Sequence, residues 1–236
     1  MFAKLKSLPL SVQIIGSVAV VLVAVGAGNL VYDVSRERAA IVVNASKRGN
    51  AALDMLEAVH VSAMLNRDKV ADGDPAVGTL DGTMERFSTQ SKGVNLWLVM
   101  GPKIVAFQKA QGEQEVEGPK DAIDDKTLAE KLAQQVVIGE KMRITRPVVL
   151  GEGPASDNAC ATCHTAKMDI QKGEIVGAYS AEVDMAPEQA EFAADVRTKI
   201  IAGAAVFVLA LGIMIALLRV VAINPMRRLA RATEAL

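Results

Sequence analysis

An α+β domain with an antiparallel sheet and a long N-terminal helix, held between two transmembrane helices, is the fold class that this sequence predicts. Three observations predict it. Residues 7–32 and residues 200–218 carry no charged side chain, and each run is long enough to cross a hydrocarbon layer of roughly 30 Å as a helix. All but one of the 27 acidic residues fall between these runs. Within that interval the apolar spacing changes from a helical period to short strand-like runs and back again.

The domain boundaries follow. Residues 1–6 form a cytoplasmic N-terminus, 7–32 the first transmembrane helix, 33–199 the extracytoplasmic domain, 200–218 the second transmembrane helix and 219–236 a juxtamembrane segment. Lys4 and Lys6 precede the first span, and Arg219, Arg227, Arg228 and Arg231 follow the second, so the positive-inside rule places both ends in the cytoplasm. A signal peptide is the rival reading of the first run, because Val25-Gly26-Ala27 resembles a small-residue cleavage site. The run is longer than a usual signal core and a hydrophilic helix continues from it, which favours the uncleaved span. The formal net charge of -1 points to no nucleic-acid partner.

Residues 33–65 lack proline and read as a helix leaving the membrane. Ile41, Ala45, Ala52, Leu56, Val59 and Ala63 recur at helical spacing, which suits a stalk pairing with a second copy or a helix packed on its own domain. Asp72-Gly73-Asp74-Pro75 breaks this helix, Gly78 and Gly82 prolong the irregular stretch, and a short amphipathic segment covers 84–90. Residues 94–100 and 104–108 are apolar runs separated by Gly101-Pro102-Lys103, the pattern of a hairpin. Residues 113–125 read as loop, 126–135 as a helix capped by Asp124 or Asp125, and 141–150 and 174–183 as strands. Asp184 and Pro187 mark the start of a helix that runs into the second span.

Between the last two strands, in a stretch expected to be a loop, lies Cys160-Ala161-Thr162-Cys163-His164. It holds both cysteines and one of the two histidines. A disulfide between Cys160 and Cys163 is possible in an oxidising compartment, yet it gives His164 no role and lacks a thioredoxin-like βαβ setting. Zinc would need His60 or a carboxylate to complete a tetrahedron around three ligands crowded into five residues. Idle cysteines explain poorly a chain that uses cysteine nowhere else. Covalent c-type haem attachment accounts for all three residues: two thiols at this spacing bond the porphyrin vinyl groups, and the adjacent imidazole reaches the iron. Cys160 and Cys163 are then thioether anchors of one haem c, and His164 is the proximal iron ligand.

The other side of the iron is open in this reading. His60 shares a helical face with Leu56 and Met64, so His60, Met64 or Met55 are the possible distal ligands. A packed histidine with an ordinary hydrogen bond, and methionines as core filler, are the plain alternatives. Met84, Met100 and Met142 offer further thioethers, and a water-filled position would admit a gas. Trp97, the single tryptophan, reads as core, with a haem-wall role as its alternative.

Pro119-Lys120-Asp121-Ala122-Ile123-Asp124, the strand Met142-Arg143-Ile144-Thr145-Arg146-Pro147-Val148, the cysteine motif, and Gly177-Ala178-Tyr179-Ser180 leading to a membrane helix together resemble the periplasmic c-haem sensor domains of bacterial chemoreceptors and histidine kinases, in their PAS-like single-haem group. The resemblance covers residues 33–184 in outline and is more specific in the second half. It implies a PAS-like antiparallel sheet with a long N-terminal helix, and a homodimer able to exchange that helix. It further implies a bacterial inner-membrane protein with its central domain in the periplasm, whose haem responds to redox state or a small gas ligand. In such domains the distal ligand is sometimes supplied by the N-terminal helix, of the same or the partner subunit. Residues 220–236, with Asn224-Pro225 and with Met226, Leu229, Ala232 and Leu236 at helical spacing, resemble the first helix of a HAMP signalling module. The second HAMP helix and an output domain do not follow within these 236 residues. An output is therefore expected from a longer chain or a separate cytoplasmic partner, if the chain signals.

The leading expectation is a membrane-anchored haem sensor that passes a signal to a cytoplasmic output. A membrane-tethered monohaem cytochrome for electron transfer is the alternative, and a haem-free ligand-binding receptor is a third. No serine–histidine pair or paired carboxylates can be placed together, so no enzymatic activity is expected.

Overall fold

The computed structural model describes residues 10–67, 75–113 and 116–226. It divides into two compact units, residues 40–189 and the paired segments 1–39 and 190–236. In chain order the elements are α1 (Leu10–Leu65), α2 (Pro75–Gln90), β1 (Val94–Met100), α3 (Pro102–Ala110), α4 (Ala122–Glu130), β2 (Gln134–Ile138), β3 (Lys141–Val149), α5 (Asn158–Met168), β4 (Ile175–Asp184) and α6 (Ala186–Leu218). A 3-10 turn at Gly153–Ala155 and a π turn at Arg219–Ile223 complete the set.

The 40–189 unit is built on one four-stranded antiparallel sheet in the order β1-β4-β3-β2. The last strand in sequence is therefore central. Its register places Tyr179 between Leu98 of β1 and Arg146 of β3, and Ser180 between Trp97 and Thr145. Because side chains alternate along a strand, one face carries Leu96, Leu98, Met142, Ile144, Tyr179, Ala181 and Val183, all buried in the main core. The opposite face carries Trp97, Val99 and Ala178, which pack with Leu128 of α4.

The 40–65 portion of α1 lies on the first face. Ala45, Ala52, Leu53 and Leu56 are buried there, so the apolar stripe that suited a stalk is used within its own domain. Gly49 makes this approach possible, since a Cβ there would sit 2.6 Å from Cδ1 of Ile144. Arg146 fastens the helix from the sheet side, its guanidinium reaching the Asn50 side chain at 2.7 Å and pairing with Asp54.

The second face holds a buried polar cluster. Asp124 and Ser180 are fully buried, and Arg143 is 2% exposed. The Asp124 carboxylate accepts from Trp97 Nε1 at 3.0 Å, Ser180 Oγ at 2.7 Å and Arg143 at 2.9 Å. Every bond here is charge-assisted at its acceptor, the arrangement that makes a buried charge tolerable. Trp97 is thus core and lies on the face turned away from α1.

Several expectations from sequence are corrected. Residues 104–108 are not the second strand of a hairpin; they belong to α3, whose first turn is formed by Pro102, a favoured position because proline lacks the amide that a helix start leaves unused. Gly101 donates its amide to the Val176 carbonyl at 2.7 Å, and a Cβ on it would stand 2.5 Å from that oxygen, so glycine is required where β1 ends. The stretch around Gly78 and Gly82 is not irregular but lies inside α2. The 126–135 helix runs instead from 122 to 130 and is capped by Asp121, whose Oδ1 accepts from Ile123 N and Asp124 N at 3.0 Å. Residues 134–138 form the edge strand β2, joined to β3 by the two-residue turn Gly139-Glu140 with Gly139 at φ +59. The 72–74 part of the predicted helix break and residues 227–236 of the HAMP-like segment lie outside the described residues.

In the other unit, two helices are long and apolar enough to cross a membrane by length and composition, within 12–65 and 186–226. Val20, Val208 and Leu209 are 64–69% exposed, far more apolar surface than a water-facing helix carries. Lys199 and Glu37 pair at 2.8 Å beyond the uncharged stretches.

Candidate functional site

The cysteine motif is helical, which corrects the expected loop. Glycine and proline are confined to the preceding residues 151–154, whereas 158–168 contain neither. Asp157 caps α5 by accepting from Ala159 N at 2.7 Å, and Asp169 ends it in the left-handed conformation at φ 50. Ile170, fully buried, then pins the chain to the core while its amide donates to the His164 carbonyl at 3.2 Å. On a helix the offsets of three and four put Cys160, Cys163 and His164 on one face. Cys160 packs against the main core and both thiols are half-buried and unpaired.

A cavity of about 1070 Å³ lies between α1, α2, α3, α5 and the sheet, just above the ~300–1,000 Å³ typical of small-molecule sites. His164 and Met168 of α5, His60 and Met64 of α1, and Tyr179 of β4 line it. The structure thus brings both histidines of the chain to one chamber. Met55 does not line it and packs against the core instead. Neither cysteine is in the lining; they sit along the same α5 face as His164, on its N-terminal side. Met100 also reaches the cavity, while Met84 and Met142 are buried in the core.

Burial sets the electrostatics. It lowers the pKa of His60 to about 4, with a further lowering from the charge of His164. Burial lowers His164 as well. Both rings are therefore neutral near pH 7, the form that ligates metals. The Cys160 thiol is pushed up by burial, then by Asp157 and Cys163, so it is not poised as a reactive thiolate. Asp81 and Glu117, in the cavity wall, are raised by burial, and Glu117 also by Asp81.

The two histidines are held differently. Nδ1 of His60 is 2.7 Å from the Tyr179 hydroxyl. Nδ1 of His164 is buried without a hydrogen-bond partner among the described residues. A core histidine kept for packing would satisfy that atom, so the His164 ring is not explained by packing alone. Among the described residues no three His, Cys, Asp or Glu side chains converge as a preformed metal cluster. Two neutral imidazoles on different elements across a chamber, with two thiols beside one of them, form a donor set suited to haem iron.

Sequence reasoning missed Tyr179 and Met168 as site residues. Met168 stands four residues after His164, on the same helical face, a signal readable from spacing. Tyr179 is an aromatic with a polar tip at an inward phase of an apolar strand, and only the sheet register reveals what its hydroxyl meets.

The fold and chamber define an α+β domain with a ligand-sized cavity between a helical layer and an antiparallel sheet. Compared with known proteins, the chain matches no family model, no curated protein and no solved structure.

Proposed function

We propose that this protein is a membrane-anchored c-type haem sensor, with a PAS-like periplasmic domain that passes a signal to a cytoplasmic output. The observation that carries the proposal is that His164, from the cysteine motif, and His60 of α1 line one cavity. Cys160 and Cys163 would tether the haem, His164 would be its proximal ligand, and His60, with Met64 beside it, would face the other side. When bound, the haem would supply a redox couple and an iron able to exchange one ligand. The four-stranded antiparallel sheet and long N-terminal helix support the PAS-like reading.

A sensor needs a route from site to membrane. Tyr179 stands on β4, and β4 leads directly to α6: the Ala186 amide donates to Asp184 Oδ1 at 2.8 Å. Arg48 of α1 reaches both the Asp184 carbonyl at 3.2 Å and Glu188 at 2.8 Å. The element bearing His60 is thereby tied to the start of the helix leaving the domain. In this reading the protein is a homodimer in the bacterial inner membrane.

The test is a denaturing gel stained for haem peroxidase activity, with the wild type and the Cys160→Ala/Cys163→Ala variant side by side. Stain on the wild type alone is expected, and an unstained wild type refutes the proposal. Optical spectra with carbon monoxide and nitric oxide then separate stimuli. A haem unreactive with either gas removes gas sensing and leaves redox sensing. Rapid electron exchange with a respiratory partner would instead favour a tethered electron-transfer cytochrome.

A further inference from the structure

The two histidines of the chamber differ in a way that the haem reading does not explain. His164 adjoins Cys163, so a haem bonded to that cysteine is brought to it by the tether itself. No covalent tether brings His60 to the iron, and an untethered ligand needs something to hold its ring.

Among the described residues the Tyr179 hydroxyl is the one hydrogen-bond partner of the His60 ring, at 2.7 Å from Nδ1. The two rings meet edge to face, with centroids 5.5 Å apart and planes at 75°. Tyr179 is 2% exposed and sits in the central strand with a paired neighbour on each side, Leu98 and Arg146. It is therefore a fixed point on a rigid element, while His60 is half-buried on a helix that ends at Leu65.

A neutral imidazole carries its hydrogen on one nitrogen and a lone pair on the other. If Nδ1 holds the hydrogen and donates it, Nε2 is left with the lone pair. We propose that Tyr179 is the positioning residue of His60: its hydroxyl accepts from Nδ1–H and so presents Nε2 of His60 to the cavity as an iron ligand. The hydroxyl hydrogen remains free to turn toward the chamber, which Tyr179 also lines. This inference rests on the haem reading and goes beyond it by assigning the second ligand and the group that orients it. It also implies that His60 is the exchangeable ligand, because a hydrogen bond holds it where His164 has a covalent neighbour.

The experiment uses the full-length haem-loaded protein in detergent, with Tyr179→Phe, His60→Ala and, as a packing control on the opposite face of the sheet and outside the cavity lining, Leu128→Ala. Carbon monoxide affinity of the ferrous form and the exchange rate of the His60 Nδ1 proton, by 15N-histidine NMR, are the readouts. Tyr179→Phe is expected to keep its covalent haem, to raise carbon monoxide affinity roughly 10-fold or more by loosening the competing ligand, and to speed Nδ1 proton exchange. Leu128→Ala is expected to change neither. Unchanged affinity and exchange in Tyr179→Phe overturn the inference. Should that variant not accumulate, the wild type decides alone: a slowly exchanging Nδ1 proton supports the inference and a rapidly exchanging one overturns it. A wild type without covalent haem fails the parent reading, and this inference with it. A covalent haem whose spectrum is indifferent to His60→Ala keeps the parent reading and overturns only this one.

Discussion

Nδ1 of His60 and the hydroxyl of Tyr179, 119 residues apart in sequence, stand 2.7 Å from each other and join α1 to the central strand of the sheet. The contact holds the His60 ring at the cavity wall. In the proposed haem form, His60→Ala should retain covalent haem, because both thiols remain, while opening the iron to carbon monoxide. Met64→Ala should shift the spectrum little, and Met55→Ala, outside the cavity lining, should not shift it at all. Absorption spectra of the three reduced variants, with and without carbon monoxide, decide the matter. An opened site in Met64→Ala but not in His60→Ala would transfer the ligand role to the thioether.

On the opposite face, Asp124 is the residue whose loss should cost most. It is fully buried and accepts from Trp97, Ser180, Arg143, Thr145 and the Lys120 amide. Asp124→Ala would leave the 2%-exposed Arg143 guanidinium with Asp121 and the Ala181 carbonyl as its partners among the described residues and strand the Trp97 N–H. Removing one partner of a buried pair costs about 3–5 kcal/mol, and the surviving Asp121 bonds put this case near the lower figure. Thermal unfolding of the detergent-solubilised protein should show Tm lower by roughly 6–12 °C. A shift under 2 °C would mean that the cluster is an ornament of the fold.

The same residue sets an acid dependence. Burial alone would raise Asp124, but the hydrogen bonds from Ser180, Trp97 and the Lys120 amide, with the Arg143 charge, outweigh it and hold the carboxyl below its ordinary 3.8. As pH falls, the unfolded chain takes up this proton before the folded one does, so the contribution is complete above pH 3.8 and drains away as pH drops through the lower folded value. Asp81 and Glu117 are raised, and their terms run the other way, being lost as pH rises through their folded pKa values. The useful readout is therefore the difference in Tm between wild type and Asp124→Asn across pH 5 to 2.5. That difference should shrink as the acid end is approached; parallel curves would show that Asp124 does not titrate in this way.

Local sequence was enough where a signal is carried by neighbours along the chain. The uncharged runs, the long α1, the strands at 141–149 and 175–184 and the cysteine motif all belong to this class. It failed where a residue answers to a distant one. Gly101-Pro102 has the composition of a turn and is a helix start, because what requires the glycine is the Val176 carbonyl 75 residues away. Asp124 looks like a cap and is instead a buried acceptor, leaving the cap to Asp121. β2 was missed because Val136, Val137 and Ile138 are 39–51% exposed on an edge strand and lack the alternation of a half-buried one. At the site, His164 was legible from its spacing to the cysteines, whereas the Tyr179–His60 contact exists only once β4 is centred in the sheet.

Two glycines read alike in sequence and should respond oppositely to the same change. Gly177 lies in β4 opposite Met100 and Val148, and a Cβ there would collide with the Val99 carbonyl oxygen, a backbone atom of the adjoining strand that cannot swing aside. Gly177→Ala should therefore destabilise by about 1–3 kcal/mol through forced separation of β1 and β4. Gly82 lies inside α2 and a Cβ there meets nothing within 4 Å, so Gly82→Ala should stabilise by up to about 1 kcal/mol through helix propensity alone. Tm measurements on both variants should move in opposite directions, downward for Gly177→Ala and upward for Gly82→Ala. A loss of stability in Gly82→Ala would mean that the outer face of α2 is covered in the assembled protein, and an unchanged Gly177→Ala would mean that β1 and β4 can part without cost.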